Sequence, residues 1–326
     1  MSKPELSVVL VISVSVHETE KTLVHLARQT IADQIELVIV AADDQTLRGW
    51  TELTGSTFFD VKTVTVGPIH DVEVATYEGF KQTQAPYIAF VEDHAFPSAD
   101  WAENTLAAHK AGYDVVGTPM RNANPASGLS WGNMLLAYGK WLEPAPHGDI
   151  DSIQGHNSSF SREHLERLGQ DLVAKMRREG GLMGTLRDNG ARFYLTKLGR
   201  IAHVNPSSLA ATTSLRFDGG RLYGANRAQK EGWGPVKRAL YVAGGPLIPF
   251  LRFVRLQREY FQDGMRGEEK GRAYVGMFYC LVMDALGQMA GYALGPGKTY
   301  ERLATFELGR HQHLTAHDRQ MLTEAE

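Results

Sequence analysis

Residues 6–16 form an apolar run interrupted only by serines, which predicts a buried first strand. Leu23, Leu26 and Ala27 then fall on one face of a helical pattern over 18–30. A second apolar run at 35–41 predicts another buried strand, ending at Ala42-Asp43-Asp44. A short helix near 47–53, a strand at 61–66, a helix over 71–84 and a strand at 87–91 follow. Strands alternating with helices of this length imply right-handed βαβ units and a mostly parallel sheet.

The run Tyr87-Ile-Ala-Phe-Val91 is the most buried-looking strand, and Glu92, Asp93 and His94 follow it directly. Ligands of open α/β sheets bind outside the carboxyl ends of the strands. Two carboxylates and an imidazole delivered to that edge are the leading candidate for the chemical centre. The plainer alternative is that Glu92 and Asp93 only open the next helix, with 97–100 as its start.

Downstream, the pattern predicts a helix over 101–111, a strand at 114–117, a polar loop over 121–130 and a helix over 131–141. Trp131, Leu135 and Tyr138 stand at helical spacing, which is a packing pattern, although Trp131 at the start of the helix could instead stack on a sugar ring or base. Helices over 162–168 and 172–187 and strands at 192–195 and 200–204 complete the region, which closes on His203-Val-Asn-Pro206.

The turn after the first strand, Ser13-Val-Ser-Val-His17, has no glycine. It therefore lacks the G-x-G-x-x-G cradle of dinucleotide-binding folds, and no G-x-x-x-x-G-K-[ST] loop occurs anywhere. A nucleotide could still be held by carboxylates on its ribose and a metal on its diphosphate.

From Gly232 the character changes. Residues 239–251 carry no charge, include Pro246 and Pro249, and lie between Lys237-Arg238 and Arg252. On a helix over 250–261, Phe250, Phe253, Val254, Tyr260 and Phe261 fall on one side and Arg252, Arg255 and Arg258 on the other, the pattern of a helix lying in a membrane interface. A second segment, 273–294, holds Asp284 near its middle. Its uncharged part, 273–283, is shorter than the roughly 20 residues a span needs. A carboxylate at the bilayer centre costs about 2.5–3.5 kcal/mol. A crossing is thus not expected, and either a monotopic membrane patch or a helical dimer interface would use these helices. The polar tail 309–326 is expected to fray.

The 326 residues, 43% hydrophobic and 22% charged, suffice for one large domain or two. A net charge of -3 argues against nucleic acid as a bulk partner. The single cysteine, Cys280, leaves no intrachain disulfide or cysteine-based zinc site and fits a reducing, cytoplasmic setting. The first apolar run is short, rich in valine, preceded by both Lys3 and Glu5, and lacks a signal peptide's small-residue cleavage site, so it reads as a strand.

Several blocks, in order over about residues 6–205, resemble the family-2 glycosyltransferases of GT-A (nucleotide-diphospho-sugar transferase) fold. Ser7-Val-Val-Leu with Leu23-x-x-Leu26-x-x-Gln29-Thr30 looks like that family's opening strand and helix. Glu36-Leu-Val-Ile-Val40 with Asp43 and Asp44 looks like its second strand and acidic turn. Val74-Ala-Thr-Tyr-Glu-Gly79 and then Ala85-Pro-Tyr-Ile-Ala-Phe-Val-Glu92 resemble the approach to its D-x-D motif. Gly155-His-Asn157 with Ser161-Arg162 is similar to its G-x-N…R stretch, and Glu179-Gly-Gly-Leu182 with Leu186-x-x-x-Gly190 to the block holding its catalytic base. Two departures stand out: the D-x-D reads Glu92-Asp93-His94, and the second acid of the E-D pair is Gly180.

The resemblance implies a GT-A-like, mostly parallel mixed α/β sheet flanked by helices over 1–230, to which the residue pattern adds a helical membrane-associating or dimerisation region over 231–308 and the polar tail 309–326. It implies inverting transfer of a sugar from a nucleotide-diphospho-sugar to a hydroxyl of a glycan or lipid-linked acceptor, as in polysaccharide biosynthesis. The setting would be cytoplasmic, with peripheral attachment at the cytoplasmic membrane face. Glu179 would be the base. Ser13, Asp43, Asp44, Glu92, Asp93, Arg227 and Arg238 would hold the donor, with Arg216 and Arg221 as further diphosphate candidates. Asp93, His94 and His203 would bind a divalent metal, Mn²⁺ rather than Mg²⁺ because of the imidazoles. Trp131 and Asn157 would meet the acceptor. The competing readings are a catalytically degenerate nucleotide-sugar binding or scaffolding protein, or a nucleotidyltransferase, whose basic, glycine-rich loop is absent from 13–18.

Overall fold

The computed structural model describes residues 3–177, 181–260 and 267–324. The described chain forms two compact units, 1–121 with 143–203, and 122–142 with 204–326.

The first unit begins β1 (Leu6–Ile12), α1 (Val16–Ala27), β2 (Ile35–Ala41), α2 (Trp50–Thr54), β3 (Asp60–Thr65), α3 (Val72–Phe80) and β4 (Tyr87–Val91). β1 stops sooner than its apolar run because Ser15 turns to cap α1, its side chain accepting from the Glu18 N–H at 3.3 Å. β5 (Ala95–Pro97), α4 (Trp101–Lys110), β6 (Val115–Gly117) and β7 (Met120–Asn122) follow. The chain then leaves for α5 (Gly128–Tyr138), which belongs to the second unit, and returns with β8 (Gly148–Asp149), β9 (Ser158–Ser161), α6 (Arg162–Glu166), α7 (Asp171–Met176), α8 (Gly181–Asp188), β10 (Phe193–Leu195) and β11 (Ile201–His203).

The main sheet runs β3-β2-β1-β4-β9-β6-β10-β8. β3, β2, β1 and β4 are mutually parallel, β9 is antiparallel to both neighbours, and β6 and β10 are parallel to each other. This is the expected mixed, largely parallel α/β sheet with helices. Val9, Val38, Ile88, Phe160, Leu165 and Phe193 are buried in one core cluster of this unit. Glu36, a carboxylate deep in the sheet, is satisfied by Ser7 Oγ at 2.5 Å, Lys62 Nζ at 2.6 Å and the Gln84 N–H at 2.7 Å.

A smaller sheet, β5-β11-β7, was not legible in the sequence as such. The helix expected over 172–187 is two pieces, α7 and α8, with 178–180 outside the described residues.

The second unit is helical: α5, then α9 (Leu209–Lys230), α10 (Pro235–Gly244), α11 (Ile248–Tyr260), α12 (Gly267–Leu294), α13 (Thr299–Phe306) and α14 (Ala316–Glu324). α12 is its central helix, packed on α9 and α5 at backbone distance. A Cβ on Gly287 would lie 2.0 Å from the Phe217 carbonyl oxygen, and one on Gly276 1.6 Å from that of Gly128, so only glycine fits. α9 thus packs with the other helices of this unit. The tail does not fray as expected: it forms a 3₁₀ turn at Arg310–His313 and α14, with Leu314, Asp318 and Leu322 buried.

Candidate functional site

β1 is followed in sequence by β2 on one side, while β4 pairs on its other side, so the carboxyl ends of β1 and β4 flank the point where the strand order reverses. Leu10 pairs with Val91 and Ile12 with Ala41. Ser13, Asp43 and the triplet Glu92–His94 therefore leave the sheet at one common edge.

The triplet is tied down from several sides. Asp93 Oδ2 accepts from Ser13 Oγ at 2.7 Å and its N–H at 3.4 Å, and Thr22 Oγ1 donates to the Asp93 carbonyl at 2.9 Å. His94 Nδ1 lies 2.7 Å from Asp93 Oδ1. The chain then re-enters as β5, whose antiparallel pairing sets Ala95 opposite His203 on β11. His203 is thereby brought edge-on to His94, with ring centroids 4.9 Å apart.

The two imidazoles converge on one carboxylate. Glu92 Oε2 is 3.1 Å from His203 Nε2 and 3.9 Å from His94 Nε2. Asn157 holds that carboxylate: its side-chain amide donates to Glu92 Oε2 at 2.5 Å, and its side-chain oxygen accepts from the Glu92 backbone N–H at 3.1 Å. Asn157 does so from the left-handed region, φ 57°, which asparagine tolerates better than most residues. His94 and His203 are each only 3% exposed.

Burial raises the Glu92 carboxyl, but His94, His203 and His156 outweigh it and hold the group well below the usual carboxylate range. Asp93 is likewise raised by burial and brought below its ordinary value by His94 and Ser13.

One atom each from Glu92, His94 and His203 lie mutually within 4.8 Å, a donor set that fits a divalent first-row metal. Proton placement fits as well. With Nδ1–H given to Asp93, His94 presents the Nε2 lone pair, the carboxylate–histidine arrangement that orients metal ligands. Asp93, expected in the metal set, is instead turned to Ser13 and His94, and Glu92 stands where a third donor is needed.

A second acidic pair lies on α3. Asp71 caps that helix through the Val74 N–H at 3.0 Å and meets Arg177 at 2.5 Å. Burial raises the Glu73 carboxyl, against the opposing pull of His156. His156 thus influences both Glu73 and Glu92, a link the sequence did not signal.

Other expected site residues behave differently. Asp43 Oδ1 accepts from the Thr46 N–H and hydroxyl, both at 2.8 Å, and those bonds hold the exposed carboxyl below its ordinary value. Asp44 is exposed beside it. Glu179 lies outside the described residues.

Trp131, Arg227 and Arg238 belong to the second unit. Ser127 caps α5, so Trp131 sits one turn inside the helix, buried, with its indole N–H donated to the Pro125 carbonyl at 3.0 Å. That is the packing alternative rather than a stacking platform. Arg227 pairs with Glu231 at 3.0 Å and lies over the Trp233 ring, while Arg238 donates to the Trp233 carbonyl at 3.1 Å. Arg216 is engaged by Asn133 at 2.6 Å and Arg221 by the Gly295 carbonyl at 2.9 Å.

The chain is similar in structure to the crystal structure of GalNAc-T7 with UDP, GalNAc and Mn²⁺, at 13% identity and a TM-score of 0.45, over 61% of this chain and 43% of that one. It is also similar to the crystal structure of S. aureus TarS, at 13% identity and a TM-score of 0.46, over 65% of this chain and 39% of that one. The chain thus spans less than half the length of either structure. No family model and no curated protein matches the sequence.

Proposed function

We propose that this protein is a glycosyltransferase that moves a sugar, with inversion, from a nucleotide-diphospho-sugar to a hydroxyl of a glycan or lipid-linked acceptor. The observation that carries the reading is the convergence of His94 and His203 on Glu92 at the carboxyl edge where β1 and β4 part. The ordered blocks from Ser7 to Gly190 that resemble family-2 enzymes support the same chemistry.

Glu92, His94 and His203 would hold a divalent cation, with Mn²⁺ favoured over Mg²⁺ by two imidazoles. Bound there, the cation supplies charge neutralisation for the departing diphosphate. Asp93 fixes the His94 tautomer and ties it to the loop after β1 through Ser13, while Asn157 fixes the Glu92 carboxylate. Asp43 and Asp44, at the end of β2, are assigned to the nucleoside. Glu179 is assigned as the base: the acceptor oxygen bonds to the anomeric carbon, the bond from that carbon to the diphosphate breaks, and the acceptor proton passes to the Glu179 carboxylate. Arg227, Arg238 and Trp131 receive no role in this reading.

The test is a nucleotide-sugar panel by calorimetry with Mn²⁺, Mg²⁺ or chelator, alongside release of nucleoside diphosphate. Mn²⁺-dependent release from one donor, lost in His94→Ala and Glu179→Gln, supports the transferase. Donor binding without release across an acceptor panel marks the degenerate binder that Gly180, in place of the second acid, makes the competing reading. No donor binding at all overturns both.

A further inference from the structure

We infer that α10 and α11 form a monotopic docking surface for anionic lipid. The inference rests on the second unit alone and stands or falls apart from the sugar-transfer reading. Val236, Leu240, Ala243, Leu247, Leu251 and Val254 succeed one another at intervals of three or four residues, and all six are exposed. The exposure is large: 83% at Val236, 68% at Leu240, 63% at Leu247 and 70% at Leu251. The opposite side of the same helices is spoken for. Tyr241 packs on Trp233 and Tyr292 at centroid distances of 4.1 and 5.7 Å, and Phe253 packs on Phe278 of α12 at 5.6 Å. Leu256 is buried on that side too. An apolar stripe of this length left open on the outer side marks a binding surface.

Charge selects the occupant. Between Glu231 and Glu259 the chain carries Lys237, Arg238, Arg252, Arg255 and Arg258 and no acidic residue, within a protein whose net charge is -3. Several of these cations have contacts within the unit: Lys237 lies 3.5 Å from Glu231, Arg255 3.7 Å from Glu259, and Arg252 pairs with Asp284. The basic groups bracket the uncharged 239–251 stretch at both ends, which suits apolar insertion between anionic headgroups. A second copy of the chain is the poorer partner. A two-fold contact sets the same patch against itself, basic ends included.

The surface lies on the membrane rather than crossing it. By length and composition 235–259 and α12 could each span a bilayer. The first, however, holds only 239–251 free of charge, between Arg238 and Arg252, against the roughly 20 apolar residues a crossing needs. α12 packs on α5 and α9 at glycine contacts and carries Asp284, paired with Arg252, near its middle.

The test floats the full chain with vesicles of phosphatidylcholine alone, or mixed with phosphatidylglycerol, at low and high salt. Flotation with the anionic mixture, weakened by salt, is expected. Leu247→Asp/Leu251→Asp should lower binding at least tenfold with an unchanged thermal melt, and Lys237→Gln should lower it about fivefold, the equivalent of roughly 1 kcal/mol per cation. No flotation with either vesicle overturns the inference, as does equal flotation with both at both salts. A dimer in sedimentation velocity that the double variant disperses overturns it in favour of a second copy.

Discussion

Asn157 grips Glu92 at two points, donating to its carboxylate at 2.5 Å and accepting from its backbone N–H at 3.1 Å. The residue just before β9 thereby fixes the rotamer of the side chain just after β4, 65 residues earlier. Glu92 is the carboxylate on which both histidines converge, so its freedom decides how well the three donors stay together.

Removing that grip should therefore weaken metal binding more than it weakens the fold. Outer partners of metal ligands typically contribute about 10–100-fold in affinity. Asn157→Asp keeps the shape but replaces the amide donor with a second carboxylate facing Glu92. Titration with Mn²⁺ should show a loss in that range, with a smaller change in melting temperature. Unchanged affinity would refute the positioning role.

Metal itself should stabilise the chain. A ligand that binds only the folded state adds about 2.7 kcal/mol at a hundred times its dissociation constant. Mn²⁺ should raise the melting temperature of the wild type, and chelator should reverse the gain. His203→Ala and His94→Ala should each flatten the response, and Mg²⁺ should give less of it than Mn²⁺. An equal response in wild type and both variants would place metal elsewhere.

The sheet and the triplet were readable because they are contiguous: an apolar strand and two of the three candidate donors, Glu92 and His94, lie in one stretch, 87–94. What failed to show was decided by distant partners. Whether Asp93 or His94 faces the donor set depends on Ser13, 80 residues away, which engages Asp93. Asn157 acts through a left-handed backbone that no periodicity announces. The short β5, which brings His203 to the site, has only three residues and pairs across more than a hundred. α9 was missed because Gly219, Gly220 and Gly224 lower its intrinsic helicity, whereas close packing against α12 selects small residues along it.

Helix packing in the second unit gives a stability prediction. A Cβ on Gly287 would meet the Phe217 carbonyl oxygen at 2.0 Å, and backbone cannot swing aside as a side-chain end can. Gly287→Ala should destabilise by about 1–3 kcal/mol, the usual range for overpacking. Gly271→Ala, on the same helix with open space around it, should be neutral or slightly stabilising. Denaturant midpoints for the two variants check the contrast, and equal shifts would mean that α12 does not pack on α9 this closely.

His109 supplies a pH dependence. It is buried on α4, with Nδ1 2.8 Å from the Tyr113 carbonyl and Nε2 2.8 Å from Ser159 Oγ, and stacks on Tyr87 at 4.3 Å. Burial drives its pKa from 6.5 down to about 4, against the weaker pull of the Tyr113 carbonyl and Asp114. The native state thus holds the ring neutral while the unfolded chain takes up a proton below about pH 6.5. Stability from this group is fully present above 6.5, falls as pH drops, and levels off below about 4, where both states are protonated. A drop of that size corresponds to roughly 3 kcal/mol. His109→Gln keeps a polar partner for Ser159 and does not titrate. Denaturant unfolding between pH 4 and pH 6.5 should therefore show a wild-type slope that the variant lacks, and parallel slopes would mean that His109 is protonated in the native fold.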